Sequence, residues 1–204
     1  MKKPRLVHGV GVNDSPTPVA SYQMIQGRPK LIRICPIYVK WTSMLSRCYS
    51  NAYREKRPAY EHVTVCSEWL RFTAFEEWAK EQDWEGNELD KDLLSTECLR
   101  YSPETACFMS LRLNRLITVR SGSDGVEFGV TKSPKDKKYT ASHKDKAGNL
   151  VHLGRFAELK DARSCWFKYK FDLALAISSE HKDPRIYPAV EKRLRAYGER
   201  HGII

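Results

Sequence analysis

The sequence lacks any long hydrophobic run. No apolar stretch approaches the roughly 20 residues that a membrane-spanning helix requires, and Met1-Lys2-Lys3-Pro4 leads into no signal-peptide core. Internal repeats and low-complexity tracts are also missing. These absences argue against a membrane protein, and we expect a cytosolic protein with no membrane partner.

Local signatures of known chemistry are equally scarce. The six cysteines form no C-x-x-C pair, and the chain has neither a glycine-rich phosphate loop nor a nucleophile elbow. Convergence of Cys66, Cys98, Cys107 and His62 on a zinc ion is an alternative, but this set lacks the paired spacing of zinc ligands. The chain is too long and too aromatic to need disulfides, so we expect reduced and mostly buried thiols.

Positive charge is present in excess. Lys and Arg number 35 against 25 Asp and Glu, which gives a formal net charge of +10 and a pI near 9.3. A protein of this charge attracts polyanions, nucleic acid among them, although a basic surface also occurs in proteins without such a ligand. Apolar residues make up 41% of the chain, with 5 Trp, 10 Tyr and 7 Phe, which is enough for folded cores.

The first third of the chain predicts two aromatic helices. After Pro36, apolar residues recur at helical spacing; they are Ile37, Trp41, Met44, Leu45 and Cys48. A second helix begins near Thr73, where Thr73 and Glu76 have the spacing of a capping box. A strand is expected around Leu31 to Ile34.

The middle of the chain predicts two strands followed by a helix. Residues 88–94 alternate between polar and apolar, and residues 106–109 form a second strand candidate. Leu111, Leu113, Asn114 and Ile117 then indicate a short helix. Together these segments make a ββα unit of about 30 residues.

A glycine-rich linker at residues 121–125 predicts the domain boundary, with domains at 1–120 and 126–204. Three short strands are expected at 127–131, 138–144 and 151–156, then a long amphipathic helix at 159–177 and a last basic helix. The apolar side of the long helix is expected to hold Ala162, Trp166, Tyr169, Leu173 and Ile177. The predicted fold class is α+β: an N-terminal region with aromatic helices and the ββα unit, then a three-stranded antiparallel sheet packed on one long helix.

The second domain resembles the Apetala-two DNA-binding domain of plant transcription factors, which also occurs in phage endonucleases. The similarity covers about 50 residues and rests on an ordered set of motifs: Gly129-Val130, Lys138-Tyr139-Thr140-Ala141, His152-Leu153-Gly154-Arg155-Phe156 and Asp161-Ala162. This resemblance implies a sheet that lies in the major groove of double-stranded DNA. The chain lacks the usual row of arginines and the exposed tryptophan, so a different sequence selectivity is expected.

Alternation along the strands assigns residues to the DNA-facing side of that sheet. If Tyr139, Ala141 and Leu153 pack on the helix, the opposite face carries donors and cations suited to phosphates and base edges. The predicted DNA-binding residues are Thr131, Lys132, Lys138, Thr140, Ser142, Lys144 and His152. The alternative is an ordinary half-buried sheet whose polar face is simply solvated.

The middle of the chain resembles phage HNH-type (ββα-metal) endonucleases, including those of the homing kind. The resembling segments are residues 41–49, 65–69, 89–92 and 101–108, together with Asn114. The resemblance implies that Asp90 and Asn114 hold a divalent metal, most naturally Mg²⁺, and that a histidine beside the aspartate activates water. Lys91 occupies the histidine position, and a lysine is normally protonated at neutral pH.

Three interpretations of this departure stay open. Asp90, Asp92 and Glu104 could form a different metal site, with Lys91 stabilising developing charge. The nuclease could be degenerate and serve only to bind DNA, or Tyr101 or His62 could be the base. A purely structural alternative places Asp90 and Asp92 at an exposed turn, with a salt bridge to Lys91.

The leading hypothesis is a phage metal-dependent DNA endonuclease that acts in the cytoplasm of the infected bacterium. The competing class is a non-catalytic DNA-binding or regulatory protein on a degenerate nuclease scaffold. A third class is an interaction protein whose basic surfaces bind an acidic protein partner.

Overall fold

Two compact units make up the structure, a computed structural model that describes residues 6–95, 97–119 and 129–203. The first unit spans residues 1–109 and the second spans residues 110–204. The predicted linker at 121–125 lies outside the described residues, as do residues 127 and 128 of the first predicted strand. The division into domains at 1–120 and 126–204 stays a prediction.

Three helices and an aromatic core organise the first unit. Helix α1 spans Pro36–Tyr49, α2 spans Asn51–Lys56 and α3 spans Phe72–Lys80. The apolar face predicted for α1 is confirmed, because Ile37, Trp41, Met44, Leu45 and Cys48 are all buried. The indole N–H of Trp41 donates to the Trp69 carbonyl at 2.7 Å, so a buried hydrogen bond also connects α1 to the segment around Trp69.

Six short strands complete the first unit. Strands β1 (Ala20–Ile25) and β2 (Arg28–Ile34) form an exposed antiparallel hairpin. Strand β3 (Thr64–Val65) pairs in parallel with β5 (Arg100–Tyr101), and β4 (Glu88–Asp90) pairs antiparallel with β6 (Cys107–Met109). The β4–β6 pair supplies the two strands of the predicted ββα unit.

The beginning of α3 differs from the predicted capping box. The Thr73 hydroxyl and the Thr73 backbone N–H both donate to the carboxylate of Asp14, at 2.7 and 2.9 Å. These bonds lower the pKa of Asp14 in spite of its partial burial, which acts in the opposite direction. A residue 59 positions earlier therefore replaces the local cap, which sequence spacing around Thr73 cannot reveal.

The second unit packs a three-stranded antiparallel sheet against one long helix, which confirms the predicted fold class. Its order is β7–β8–β9, with β7 at Val130–Lys132, β8 at Tyr139–Lys144 and β9 at Leu150–Phe156. Helix α4 (Leu111–Ile117) precedes the sheet, and α5 (Leu159–Ser178) and α6 (Ile186–Arg200) follow it. None of the described helices is long and apolar enough to cross a membrane.

The buried face of α5 contains a lysine that the apolar pattern did not predict. Ala162, Trp166, Ala174 and Ile177 are buried, and so is Lys170 between them, with 4% of its surface exposed. The predicted core positions Tyr169 and Leu173 are only half-buried. The buried face of α5, which packs against the sheet, α4 and α6, is therefore rotated relative to the predicted one.

All six cysteines are free thiols, as predicted. Three are buried and three are half-buried. Burial raises the pKa of the Cys48 thiol to about 12, although the cations of Arg54, Arg47 and Lys91 act against this shift. A thiol of that pKa is protonated and unreactive at neutral pH.

Candidate nucleic-acid interface

The register of the sheet determines which side chains share its outer face, away from α5. Residues directly opposite each other on paired strands lie on the same face. Val130 pairs with Ala141, and both are buried, so they face the helix. Thr131 pairs with Thr140, and Ser142 pairs with His152, so these four predicted residues lie on the outer face.

Two of the predicted lysines extend this outer face. Lys144 ends β8 in the same alternation as Thr140 and Ser142, and it is exposed. Lys138 immediately precedes β8, is exposed, and continues the alternation one step earlier. We call the set Thr131, Lys138, Thr140, Ser142, Lys144, His152 and Arg155 the outer face.

Arg155 joins the outer face because of a bulge that sequence alternation missed. Ala141 pairs with Gly154 whereas Ser142 pairs with His152, so Leu153 is an extra residue in β9. Without the bulge, Arg155 would share the helix side with Leu153. With it, Arg155 lies opposite Thr140, half-exposed, and its guanidinium contacts the Asp136 carboxylate.

Gly154 makes the bulge possible. Its φ of +151° lies in a region that residues with a side chain rarely adopt, and an added Cβ would stand 2.9 Å from the Phe156 ring. Glycine at this position was the available sequence signal for a bulge, since an isolated glycine inside a strand pattern often marks one.

Lys132 does not belong to the outer face. It pairs with Tyr139 and follows Val130 by two residues, which places it on the helix-facing side of the sheet. Its ammonium lies over the Tyr139 ring, 5.3 Å from the centroid. The structure thus separates Lys132 from the other predicted DNA-binding residues.

In the first unit, the turn after β4 uses Asp90 as an internal acceptor. Asp90 Oδ1 accepts hydrogen bonds from the backbone N–H of Asp92 at 2.9 Å and of Leu93 at 2.8 Å. Such bonds from an aspartate to residues two and three positions later define an Asx turn. The carboxylate predicted to bind a metal is therefore engaged in holding the chain at this turn.

Lys91 is buried beside that turn, with 5% of its surface exposed. Its ammonium forms an ion pair with Asp92 Oδ1 at 2.5 Å and lies 5.9 Å from the centroid of the Tyr60 ring. The structural alternative of a salt bridge between Lys91 and a flanking aspartate is observed, although Asp90 and Asp92 are half-buried rather than fully exposed. A paired, buried ammonium does not offer the lone pair that a general base requires.

The other proposed bases and acids lie in different settings. Tyr101 is buried, and its phenol oxygen accepts from Arg47 Nη1 at 3.4 Å. Burial raises the pKa of Tyr101, so the phenol is protonated at neutral pH and is a poor base. His62 is exposed, and Glu104 accepts a 2.6 Å hydrogen bond from the Ser102 hydroxyl, which lowers its pKa.

The two predicted metal ligands belong to different units of the fold. Asp90 belongs to the first unit, and Asn114 lies half-buried in α4 of the second unit. Among residues 6–95, 97–119 and 129–203, no three His, Cys, Asp or Glu side chains are arranged as a metal-ligand set. Asp90 Oδ1 is engaged by the turn, and the metal role of Asp90 and Asn114 stays a prediction.

No family model, curated protein or solved structure matches the chain. The similarity to Apetala-two domains and to HNH-type endonucleases therefore stays a resemblance of motifs. Function has to be argued from the residues and their geometry.

Proposed function

We propose that the protein binds double-stranded DNA through the outer face of its second unit. The observation that carries the proposal is the composition of this face: two exposed lysines, a half-exposed arginine and a histidine surround threonine and serine hydroxyls. Cations bind phosphates, and hydroxyl and guanidinium groups bind both phosphates and base edges. A three-stranded sheet presents these groups on one continuous surface.

The net charge of the chain supports the same conclusion. A formal charge of +10 attracts DNA at long range and accelerates encounter, whereas the outer face would fix the orientation of the complex. Arg155 is the most informative residue on that face, because its planar guanidinium can donate two parallel hydrogen bonds to a guanine edge or to a phosphate. Its contact with Asp136 holds it close to the sheet in the absence of DNA.

The test compares two triple variants of equal net charge. The first reverses Lys138, Lys144 and Arg155 to Glu, and the second reverses Lys160, Lys168 and Lys192, which are exposed on α5 and α6. We expect the first variant to bind duplex DNA about 100-fold more weakly than the wild type. The slope of log affinity against log salt concentration should also decrease by the amount that corresponds to about three phosphate contacts. Fluorescence anisotropy at several salt concentrations measures both quantities.

Equal losses of DNA affinity in the two triple variants would mean that binding depends only on the total charge of the protein. That result would contradict an outer-face interface. Titration with polyglutamate in the same assay tests the competing class of acidic protein partners. Binding to DNA but not to polyglutamate at matched charge supports nucleic acid as the ligand.

DNA cleavage is the second candidate function, and the resemblance to phage homing endonucleases favours it. The chain order is β4, β5, β6, α4, and the boundary between the two units falls between β6 and α4, so the compact ββα unit stays a prediction. The metal role of Asp90 belongs to this candidate function and stays a prediction. If the protein is a phage endonuclease, the cytoplasm of the infected host is where it acts.

Plasmid nicking separates an endonuclease from a non-catalytic DNA-binding regulator. The assay includes Mg²⁺ or Mn²⁺, an EDTA control, Asp90→Ala and Asp90→Asn. The asparagine retains an oxygen that can accept from the turn, so it removes the charge while preserving the fold. Metal-dependent nicking lost in both variants establishes a nuclease, whereas tight DNA binding without nicking establishes a regulator.

A further inference from the structure

A cavity of about 950 Å³ lies within the second unit, apart from most of the outer face. Its walls come from α4, from the β8–β9 hairpin and from α5, which contributes Trp166 and Lys170. Binding sites for small molecules commonly measure roughly 300 to 1,000 Å³, so this cavity has room for a ligand of nucleotide size.

The charged side chains that line the cavity among the described residues have one sign. Arg112, Arg115, Lys144 and Lys170 contribute to the walls together with His143, and no described aspartate or glutamate lines them. The pKa of His143 reports this environment, since burial lowers it and the nearby cations of Lys170 and Arg112 lower it further, against the hydrogen bond to the Lys144 carbonyl. An anion would relieve this mutual repulsion.

Two buried donors of α5 have no acceptor among the described residues. Trp166 is 2% exposed, and its indole N–H has no hydrogen-bond partner in the described structure. Lys170 is equally buried, and no described side chain forms an ion pair or hydrogen bond with its ammonium. Buried donors without acceptors are costly, and most are satisfied in native proteins.

The Lys170 ammonium lies over the face of the Trp166 ring, and the edge of that ring meets a position without a side chain. Lys170 Nζ is 5.4 Å from the centroid of the Trp166 ring. Gly129 also lines the cavity, and a Cβ there would collide with the indole nitrogen. The Gly129 backbone therefore packs directly against the indole nitrogen, which is closed off from the cavity.

Arg112 is held at the rim by the neighbouring hairpin. Its guanidinium donates to the backbone carbonyls of Asp145 and Lys146 in the turn between β8 and β9. These bonds restrict the side chain without neutralising its charge, because a carbonyl carries no formal charge. Arg112 is thus a positioned cation at the rim of the cavity rather than a mobile one.

We infer that this cavity binds a phosphate-bearing ligand of nucleotide size, with the phosphate at Lys170. A phosphate has several oxygens and up to two negative charges, so it can accept from the Lys170 ammonium while Arg112 and Arg115 balance its charge. Leu111, Leu116 and Leu150 supply the apolar wall that a nucleoside would contact. The inference does not rest on DNA binding by the outer face.

Calorimetry on the full chain tests the inference with adenosine monophosphate, inorganic phosphate and adenosine. We expect binding of the two phosphate-bearing probes and none of adenosine. Lys170→Met should weaken phosphate-probe binding by about tenfold or more, and Arg115→Ala, at an exposed position, by about threefold. The matched control is Lys168→Met, which removes an exposed lysine of the same helix and should leave binding unchanged.

A duplex DNA arm distinguishes the two sources of phosphate. Competition between adenosine monophosphate and duplex DNA, lost in Lys170→Met, means that the cavity receives a phosphate of nucleic acid. Binding of adenosine monophosphate without any effect on DNA affinity means that the ligand is a free nucleotide. Failure of both phosphate probes to bind at millimolar concentration, or equal binding by wild type and Lys170→Met, would overturn the inference.

Discussion

The two units each bury a lysine, and the two lysines differ in their partners. Lys91 in the first unit is 5% exposed and its ammonium is 2.5 Å from the Asp92 carboxylate. Lys170 in the second unit is 4% exposed and has no described counter-ion, and burial lowers its pKa to about 8. Equal burial therefore has opposite meanings: the first charge stabilises a turn, and the second is available to a ligand.

The same contrast extends to the surrounding polar groups. In the first unit, Asp90 accepts from its own turn and Tyr101 accepts from Arg47. In the second unit, the Trp166 indole N–H has no described acceptor, and Lys138 and Lys144 are exposed. Satisfied groups indicate a structural role, whereas positioned groups without partners indicate a binding surface.

The largest expected effect comes from removing the counter-ion of Lys91. Asp92→Asn leaves a buried ammonium without its carboxylate, so we expect a loss of about 3 kcal/mol in the free energy of unfolding. Urea denaturation followed by tryptophan fluorescence measures it. Glu88→Gln, a charge removal at an exposed position of the adjacent strand, is the control. If Asp92→Asn and Glu88→Gln lower the free energy of unfolding equally, the buried Lys91 ammonium does not depend on the Asp92 carboxylate for its stability.

Replacement of the buried lysine of the second unit is expected to change stability in the opposite direction. Lys170→Met replaces an unpaired buried charge by an apolar side chain of similar length, so we expect stabilisation by about 2 kcal/mol at pH 7. Lys168→Met should change stability by less than about 0.5 kcal/mol, because that lysine is exposed. Destabilisation by Lys170→Met in ligand-free protein would show that the ammonium has a partner.

The pH dependence of that difference sharpens the comparison. The pKa of Lys170 is about 8 in the folded protein and 10.5 in the unfolded chain, so the unfolded chain binds the proton more tightly. The free-energy cost of burying the Lys170 ammonium is therefore complete below pH 8. It disappears as the pH rises towards 10.5, because the lysine then becomes neutral in both the folded and the unfolded chain. The stability gap between Lys170→Met and wild type should therefore narrow over this range, and a gap independent of pH would contradict the assignment.

The smallest expected effect is a difference in DNA affinity between variants on the two faces of the sheet. Arg155→Ala should weaken DNA binding by about fivefold, because it removes one phosphate or base contact, and Lys132→Ala by less than about twofold. Anisotropy titrations at one salt concentration suffice to compare them. The reverse order would place the interface on the helix-facing side.

Much of the fold was predictable because its signals are local. The apolar spacing in α1 and the turn sequences between β7, β8 and β9 repeat over a few residues, and the observed elements follow them closely. Part of the candidate interface followed in the same way, since Thr140, Ser142 and Lys144 alternate along one strand.

The remaining features depend on partners distant in sequence. Asp14 caps α3 from 59 residues away, and the bulge opposite Ala141 transfers Arg155 to the outer face and leaves Lys132 on the other. Which lysine is paired and which is not depended on the elements that pack around each one.

The sequence by itself determined the α+β class, the positions of most helices and strands, and the basic charge that favours a polyanionic ligand. Only the tertiary structure decided that Lys91 is neutralised, that Lys170 is not, and that Arg155 shares a face with Thr140. The physical reason is that periodicity reports one element at a time, whereas burial, register and ion pairing are properties of two elements in contact.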